Sequence, residues 1–254
     1  MIFETEKKKM LVVGLTGGIA SGKSTVSRRL SEKHKIPIVD ADRIARQVVE
    51  PGTKGFNQIV EYFGDKIPDI ITEDGTLNRP ALGKWVFSHP ADLKILNGIT
   101  HPAVRLAMLE EVMKYYVKGY RMCILDVPLL FEAGLDMFCG VTISVVCDEE
   151  TQLERLQIRN PNLSKEEARN RISSQMSTRE RIGRSDYVIK NDSTLTDLYE
   201  KVDSIVKEIT PTSVRMLLEY FPPFGFISAT AIVLSRLFVS KIRGRQDVSE
   251  VQIE

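Results

Sequence analysis

Eight residues near position 20 dictate more about the architecture of this chain than any other stretch. A short apolar run, Leu11 to Leu15, ends in glycines, and Gly17-Gly18-Ile19-Ala20-Ser21-Gly22-Lys23-Ser24 follows it. The segment fits GxxxxGK[ST] at every required position and passes directly into a helical pattern beginning Ser24-Thr25-Val26. A strand, a glycine-rich turn and a helix in that order let backbone N–H groups point inward with no Cβ in the way, and the helix N-terminus adds positive dipole. Such a turn cradles phosphates. Lys23 is expected to bring a point charge to the β and γ phosphates of a nucleotide, and Ser24 to offer its hydroxyl to a Mg²⁺ ion that bridges them. The expected nucleotide contacts are therefore Gly17, Gly18, Ile19, Ala20, Ser21, Gly22, Lys23, Ser24 and Thr25.

The remaining pattern places this turn in an α/β fold. Apolar runs at Leu11–Leu15, Ile36–Val39, Met122–Leu125, Val141–Cys147 and Tyr187–Ile189 alternate with helical patterns at Ser24–Lys33, Arg43–Val49, Ala103–Lys118, Glu149–Ile158 and Leu195–Ile209. Near-continuous apolar strands between helices predict a parallel sheet flanked by helices, of the P-loop NTPase type. The interval from Pro51 to Gly119 shows only helical patterns, punctuated at Pro51-Gly52, Asp74-Gly75, His89-Pro90 and His101-Pro102, and reads as an inserted helical substrate lobe. A second insert, Arg159 to Ser185, is polar and arginine-rich, as suits a mobile, solvent-facing lid. The predicted organisation is a kinase domain over 10–210. Its core takes in 10–50, 119–158 and 186–210, with a lobe at 51–118, a lid at 159–185 and a tail at 211–254.

Composition removes several alternatives. With 254 residues, 43% apolar and 27% charged, the chain is long enough to bury about 70–75% of its extended surface without disulfides. Thirty-five Lys and Arg against 34 Asp and Glu leave a net charge of +1, too near balance for a protein that grips a nucleic-acid backbone along a whole face. Cys123, Cys139 and Cys147 lack metal-ligand spacing and lie in or beside apolar runs, which predicts buried free thiols. Met1 to Lys9 has no apolar core, so it reads as an exposed tail rather than a targeting peptide.

The use made of the nucleotide must be read from other residues. No Asp is followed three residues later by Gly and no NKxD occurs, which argues against a GTPase switch; no LSGGQ-like stretch occurs either. A small-molecule kinase fits better, its lobe binding the acceptor and its lid excluding water from the γ-phosphate. Asp126 closes an apolar strand, where a carboxylate either holds the metal's water shell or caps the next turn. Asp40-Ala41-Asp42 ends the second strand. Ligands of an open parallel sheet gather beyond the carboxyl ends of its strands, so Asp42 is expected to face the phosphate loop and take the proton of an acceptor hydroxyl. The alternative is that both aspartates are helix N-caps.

These segments together resemble the dephospho-CoA kinase family. The resemblance rests on Leu15 to Ser24, Val39-Asp40-Ala41-Asp42, Ile44 to Val49, Asp74-Gly75, Asn78-Arg79, Thr100-His101-Pro102 and Leu125 to Glu132. It continues through Gln152-Leu153-Glu154-Arg155 and Ser185 to Ile189 as far as Asn191, and covers roughly residues 10 to 209. It implies ATP and Mg²⁺ as cofactors, transfer of the γ-phosphoryl to the ribose 3′-hydroxyl of dephospho-CoA, and Asp42 as catalytic base. Arg46, Arg79 and His101 become candidates for the acceptor's phosphates or adenosine, and Asn191 for the adenine of ATP. Of the arginines in or beside the lid, Arg155, Arg159, Arg179 and Arg181, the first two are favoured for charge on the transferring phosphoryl. Two other readings stand beside this one: a P-loop kinase acting on a nucleoside or nucleotide, and a nucleotide-gated membrane tether.

Beyond Pro211, Tyr220 to Ser235 is free of charge, and Arg236, Lys241, Arg243 and Arg245 follow. Sixteen residues fall short of the ~20 that span a bilayer, but a run reaching Val239 with Arg236 snorkelling is marginally long enough. A helix packed on the enzyme, membrane contact through 220–239 and a contact with a partner such as another CoA-pathway enzyme are the three expectations. The stretch resembles the hydrophobic extension of eukaryotic members of the family, which implies a cytoplasmic enzyme tethered to the cytosolic face of the ER or mitochondrial membrane.

Overall fold

The computed structural model describes residues 10–210; the tail at 211–254 and the stretch Met1 to Lys9, with the expectations placed on them, lie outside the described residues. The described residues divide into two compact units, 10–38 with 115–210, and Val39–Lys114. The second unit begins twelve residues earlier than the predicted lobe, ends four earlier, and takes in the Asp40-Ala41-Asp42 run.

In the first unit β1 (Leu11–Gly17) leads into α1 (Lys23–Glu32); β2 (Ile38–Asp40), whose last two residues fall in the second unit, closes the first crossover. After the second unit come β3 (Met122–Asp126), a single 3₁₀ turn (Leu135–Phe138), β4 (Val141–Val146) and α6 (Glu149–Arg159). Helices α7 (Lys165–Ser173) and α8 (Thr178–Arg184), strand β5 (Tyr187–Lys190) and helix α9 (Leu195–Ile209) complete it. The five strands lie in the order β2-β3-β1-β4-β5. β1 pairs in parallel with both β3 and β4, with Leu15 opposite Asp126 and Ile143.

This central position explains the sequence. A strand covered on both faces buries every side chain, and Val13, Leu15, Ile124, Ile143, Val145 and Ile189 are all buried in one core with Val26 and Leu30 of α1 and Leu198, Val202 and Val206 of α9. Edge strand β5 is fixed by side chains as well as by its ladder: Thr142 N and Oγ1 donate to Asp186 Oδ2 at 2.8 and 2.7 Å, and Ser185 Oγ donates to Arg181 O at 2.7 Å. Outside the core, Arg29, Lys33 and His34 of the α1 region meet on Asp203 of α9. Arg29 first, then Lys33 and His34, hold that carboxyl far below its ordinary range.

The polar insert 159–185 is more ordered than its composition implied. Ser164 and Glu167 form a reciprocal capping box at the start of α7, and Ser177 caps α8. Ala168 is fully buried with Leu153 and Leu156 of α6, and Leu163 and Ile172 pack against them, so the insert has a small core of its own.

The second unit holds α2 (Ala41–Gln47), α3 (Lys54–Phe63), α4 (Arg79–Ser88) and most of α5 (Pro90–Val117). One sequence expectation fails here: His101-Pro102 does not end a helix but lies inside the 28-residue α5. Pro102 cannot donate to the carbonyl four residues back, and that residue, Gly98, is exposed, so water can serve the orphaned oxygen. The unit's core is Ile59, Phe63, Ile67, Ile70, Leu77, Leu82 and Val86. Beside it Asp92, only 8% exposed, accepts from Lys66 Nζ at 2.8 Å, Trp85 Nε1 at 2.7 Å and Tyr62 OH at 3.0 Å. Lys66 above all, with the indole next, lowers its pKa to about 2. Because the folded value lies below the unfolded one, the carboxylate stabilises the unit fully above about pH 4, and the contribution disappears as pH falls through about 2. Asp92→Asn should therefore lower the melting temperature at pH 7 and flatten its fall between pH 4 and 2; fluorescence of Trp85, the only tryptophan, follows both.

Candidate active site

The phosphate loop has a shape that only its own sequence allows. Gly22 stands at φ +94°, in the left-handed region, directly before α1. A Cβ there would lie 2.1 Å from Asn191 Nδ2. That amide donates to Ser21 O at 2.8 Å, and Asn191 N donates to Val146 O at 2.8 Å, so the residue after β5 is tied to β4 and props the loop from behind. Gly17 is equally confined: a Cβ would meet Ser21 Oγ at 2.6 Å and Val145 O at 2.8 Å. Ser21 Oγ itself is buried without a hydrogen-bond partner among the described residues.

Lys23, the first residue of α1, donates through Nζ to Asp126 Oδ1 at the end of β3. Asp126 is thus the partner of the loop lysine rather than the cap of a following helix. Ser24 is exposed, and no protein group among the described residues takes its hydroxyl. A serine hydroxyl and a carboxylate are hard oxygen donors of the kind Mg²⁺ accepts beside phosphate and water, so these two residues fit the ion.

A cavity of ≈ 470 Å³ opens beside the loop. It is lined by Gly18 and Ser21, by Val146, Asp148 and Gln152 around the start of α6, and by Ile172, Gln175 and Arg181 of the insert. The volume is that of a small-ligand site. Arg181 is 1% exposed and is the largest fully buried side chain. Its Nη1 donates to Thr16 Oγ1 at 3.2 Å at the end of β1, and its Nη2 to Glu132 Oε1 at 3.3 Å. The Thr16 hydroxyl passes the chain on to Pro128 O at 2.8 Å. Sequence reasoning had not favoured Arg181, because an arginine in a polar insert with five others carries no mark of burial. Gln175 was missed entirely.

Of the two favoured arginines, Arg155 has a buried Nη1 with no hydrogen-bond partner among the described residues, whereas Arg159 is exposed at the end of α6. Burial pushes the Cys147 thiol up to about 11, and the Arg155 guanidinium beside it opposes the shift. Cys123 is pushed up to about 12 by burial alone, so neither thiol is a ready nucleophile.

The second unit carries the aspartate pair. Asp40 is the N-cap of α2, accepting from Arg43 N at 3.0 Å. Asp42 lies in the first turn of the same helix, exposed, with no hydrogen-bond or ion-pair partner among the described residues. The capping alternative therefore applies to the first aspartate and not to the second. Arg46 follows Asp42 by four residues on the same face, and Arg79 donates to its backbone carbonyl at 2.9 Å. His101 is exposed on α5.

A family model, CoaE: dephospho-CoA kinase, matches residues 11–197. The dephospho-CoA kinase CAB5 of Saccharomyces cerevisiae is 66% identical over 237 residues, 93% of this chain and 98% of that protein. A dephospho-CoA kinase of Lactobacillus johnsonii is 43% identical over 197 residues, 78% of this chain and 97% of that protein. Among solved structures, the dephospho-CoA kinase from Campylobacter jejuni matches with a TM-score of 0.61 at 26% identity, over 78% of this chain and 96% of that one. TT1252 from Thermus thermophilus matches with a TM-score of 0.66 at 31% identity, over 80% and 100%.

The crowding at Gly22 yields a direct prediction. Gly22→Ala forces a Cβ into Asn191 and a left-handed conformation that costs a non-glycine residue about 1–2 kcal/mol. ADP affinity measured by calorimetric titration should drop at least tenfold. Gly183→Ala, at a position with open space around it, should leave that affinity within about twofold of wild type.

Proposed function

This chain belongs to the dephospho-CoA kinase family, and from that premise we propose which of its residues perform the reaction. It transfers the γ-phosphoryl of ATP to the ribose 3′-hydroxyl of dephospho-CoA, giving coenzyme A and ADP. The observation that carries this reading is the extent of the family match. It takes in the phosphate loop and the Asp40-Ala41-Asp42 run together, so donor and acceptor chemistry lie within one matched segment.

The loop amides and Lys23 bind the triphosphate. Lys23, held by Asp126 in this structure, shares its charge between that carboxylate and the β and γ phosphates. Ser24 and Asp126 hold Mg²⁺, which when bound neutralises charge on the same phosphates. Asn191, which shapes the loop, also borders the adenine end of the nucleotide.

Asp42 accepts the proton of the 3′-hydroxyl. Phosphoryl transfer through a loose transition state asks little covalent work of a protein, so positioning and charge compensation supply most of the rate, and the base adds about 10²–10⁴-fold. An exposed carboxylate with no protein partner is free to orient an alcohol. Arg46, Arg79 and His101 belong to the same unit and bind the anionic acceptor, whose phosphates suit guanidinium forks. Arg155 and Arg159 compensate charge on the transferring phosphoryl; the unpartnered Nη1 of Arg155 supports it more strongly than the exposed Arg159. Arg181 joins them as a buried cation lining the cavity. Residues 159–185 act as the lid.

Residues 220–239 contact a membrane on its cytosolic side, at the ER or the mitochondrion. The charge-free run with its basic flank supports this. Among the described residues no helix is long and apolar enough to cross a membrane.

Purified protein given ATP, Mg²⁺ and dephospho-CoA should release ADP and CoA in equal amounts. Asp42→Asn should lower kcat about a hundredfold or more while ADP still binds, and an unaltered kcat would remove the base assignment. Lys23→Ala should raise KM for ATP and lower kcat together. Turnover of a nucleoside monophosphate with none of dephospho-CoA would instead select the nucleotide-kinase reading.

A further inference from the structure

One residue of the phosphate loop is held by both α6 and the insert. Ile19 N donates to Gln175 Oε1 at 2.8 Å, and Ile19 O accepts from Gln152 Nε2 at 2.6 Å. The peptide units before and after the Ile19 Cα are thus each taken by a glutamine side chain. Gln152 is buried in α6, close to the sheet, whereas Gln175 sits in the turn between α7 and α8. The side chains of Ile19 and Ala20 pack on Leu153, Leu156 and Ala168, in the cluster that also includes Ile172. The turn bearing Gln175 is itself held by a bond from Gln175 N to Ile172 O at 3.2 Å and one from Arg181 Nη2 to Met176 O at 3.5 Å.

We propose that Gln175 is a positioning residue. It holds the peptide before the Ile19 Cα while Gln152 holds the one after it, so the conformation of the phosphate loop depends on the insert being docked, and nucleotide binding and docking of residues 164–184 stabilise each other. This rests on the phosphate-binding reading of the loop. The argument is one of rotation: a glycine-rich loop has soft dihedrals, and its N–H groups serve a phosphate only while its peptide planes are fixed. If only the N–H or only the C=O of Ile19 is held, the peptide plane on the other side of its Cα can still swing. With the planes on both sides held, and the Ile19 side chain anchored in an apolar cluster, neither can. Loss of one such hydrogen bond is enough for a several-fold effect on affinity. Coupling of this kind is reciprocal, so whatever docking adds to nucleotide affinity the nucleotide adds to docking.

The test uses the full-length protein with three variants. Gln175→Leu removes the acceptor at similar bulk, Gln175→Glu keeps an acceptor, and Gln152→Leu removes the other hand of the grip. ADP affinity is measured by calorimetry, hydrogen exchange is followed in 164–184 with and without ADP, and KM for ATP and kcat are determined separately. Gln175→Leu should weaken ADP about five- to tenfold, raise KM for ATP more than it lowers kcat, and speed exchange in 164–184 before nucleotide is added. Gln175→Glu should restore that nucleotide-free protection, which lost packing alone would not produce. Gln152→Leu should weaken ADP similarly, so the proposal stays testable if Gln175→Leu fails to fold. Unchanged ADP affinity in Gln175→Leu overturns the proposal, and so does a gain in affinity, which would make Gln175 a competitor of phosphate. Failure of the wild-type protein to bind ADP would instead strike at the loop reading itself.

Discussion

The left-handed turn at Gly22 is the constraint on which the nucleotide-binding unit rests. It lets the chain reverse from β1 into α1 with the loop amides free of side chains, and it brings Lys23 out as the first helical residue, where its ammonium meets Asp126. Three strand ends then converge on one loop: Asp126 from β3, Gln152 through the helix that follows β4, and Asn191 after β5. Each contributes a different group, so the loop is fixed by several weak contacts rather than one strong one. A parallel sheet makes this possible because all its carboxyl ends lie along one edge.

Arg181 shows how the insert serves that edge at some cost in stability. A guanidinium taken almost wholly out of water needs strong compensation, and its one acidic partner among the described residues, Glu132, stands at 3.3 Å and is itself more than a quarter exposed. The Thr16 hydroxyl and the Met176 carbonyl satisfy its hydrogens without balancing its charge. The residue therefore sets a buried cation in the lining of the cavity beside the phosphate loop, with an ion-pair partner that water partly screens.

Much of this was legible from residue types because the underlying rules are local. Five apolar runs became five parallel strands within a residue or two, since burial on both faces leaves no room for polar alternation. The loop was legible because its glycines answer a backbone requirement rather than a packing one. Pro102 was misread because the penalty of an internal proline depends on whether the carbonyl it orphans can reach water, and that is a property of the assembled helix. Gln175 left no trace because its partner, Ile19, is 156 residues away and a lone glutamine in a polar stretch has no periodicity to betray it. The order of the insert was hidden for a related reason: its core has one fully buried residue of its own, Ala168, and borrows the rest from α6.

The aspartates of the second strand carry the same lesson further. Spacing alone gave both an equal claim to capping α2, and a helix start needs only one such acceptor. Asp40, still in extended backbone, can turn its carboxylate back to Arg43 N; Asp42, already inside the first turn, cannot do so without leaving helical geometry. The cap thus stabilises the helix and, by satisfying that need with one carboxylate, leaves the other without a protein partner. A base that already accepted hydrogen bonds would have its basicity lowered by them. Two like residues two positions apart on the chain are in this way given different surroundings by backbone conformation.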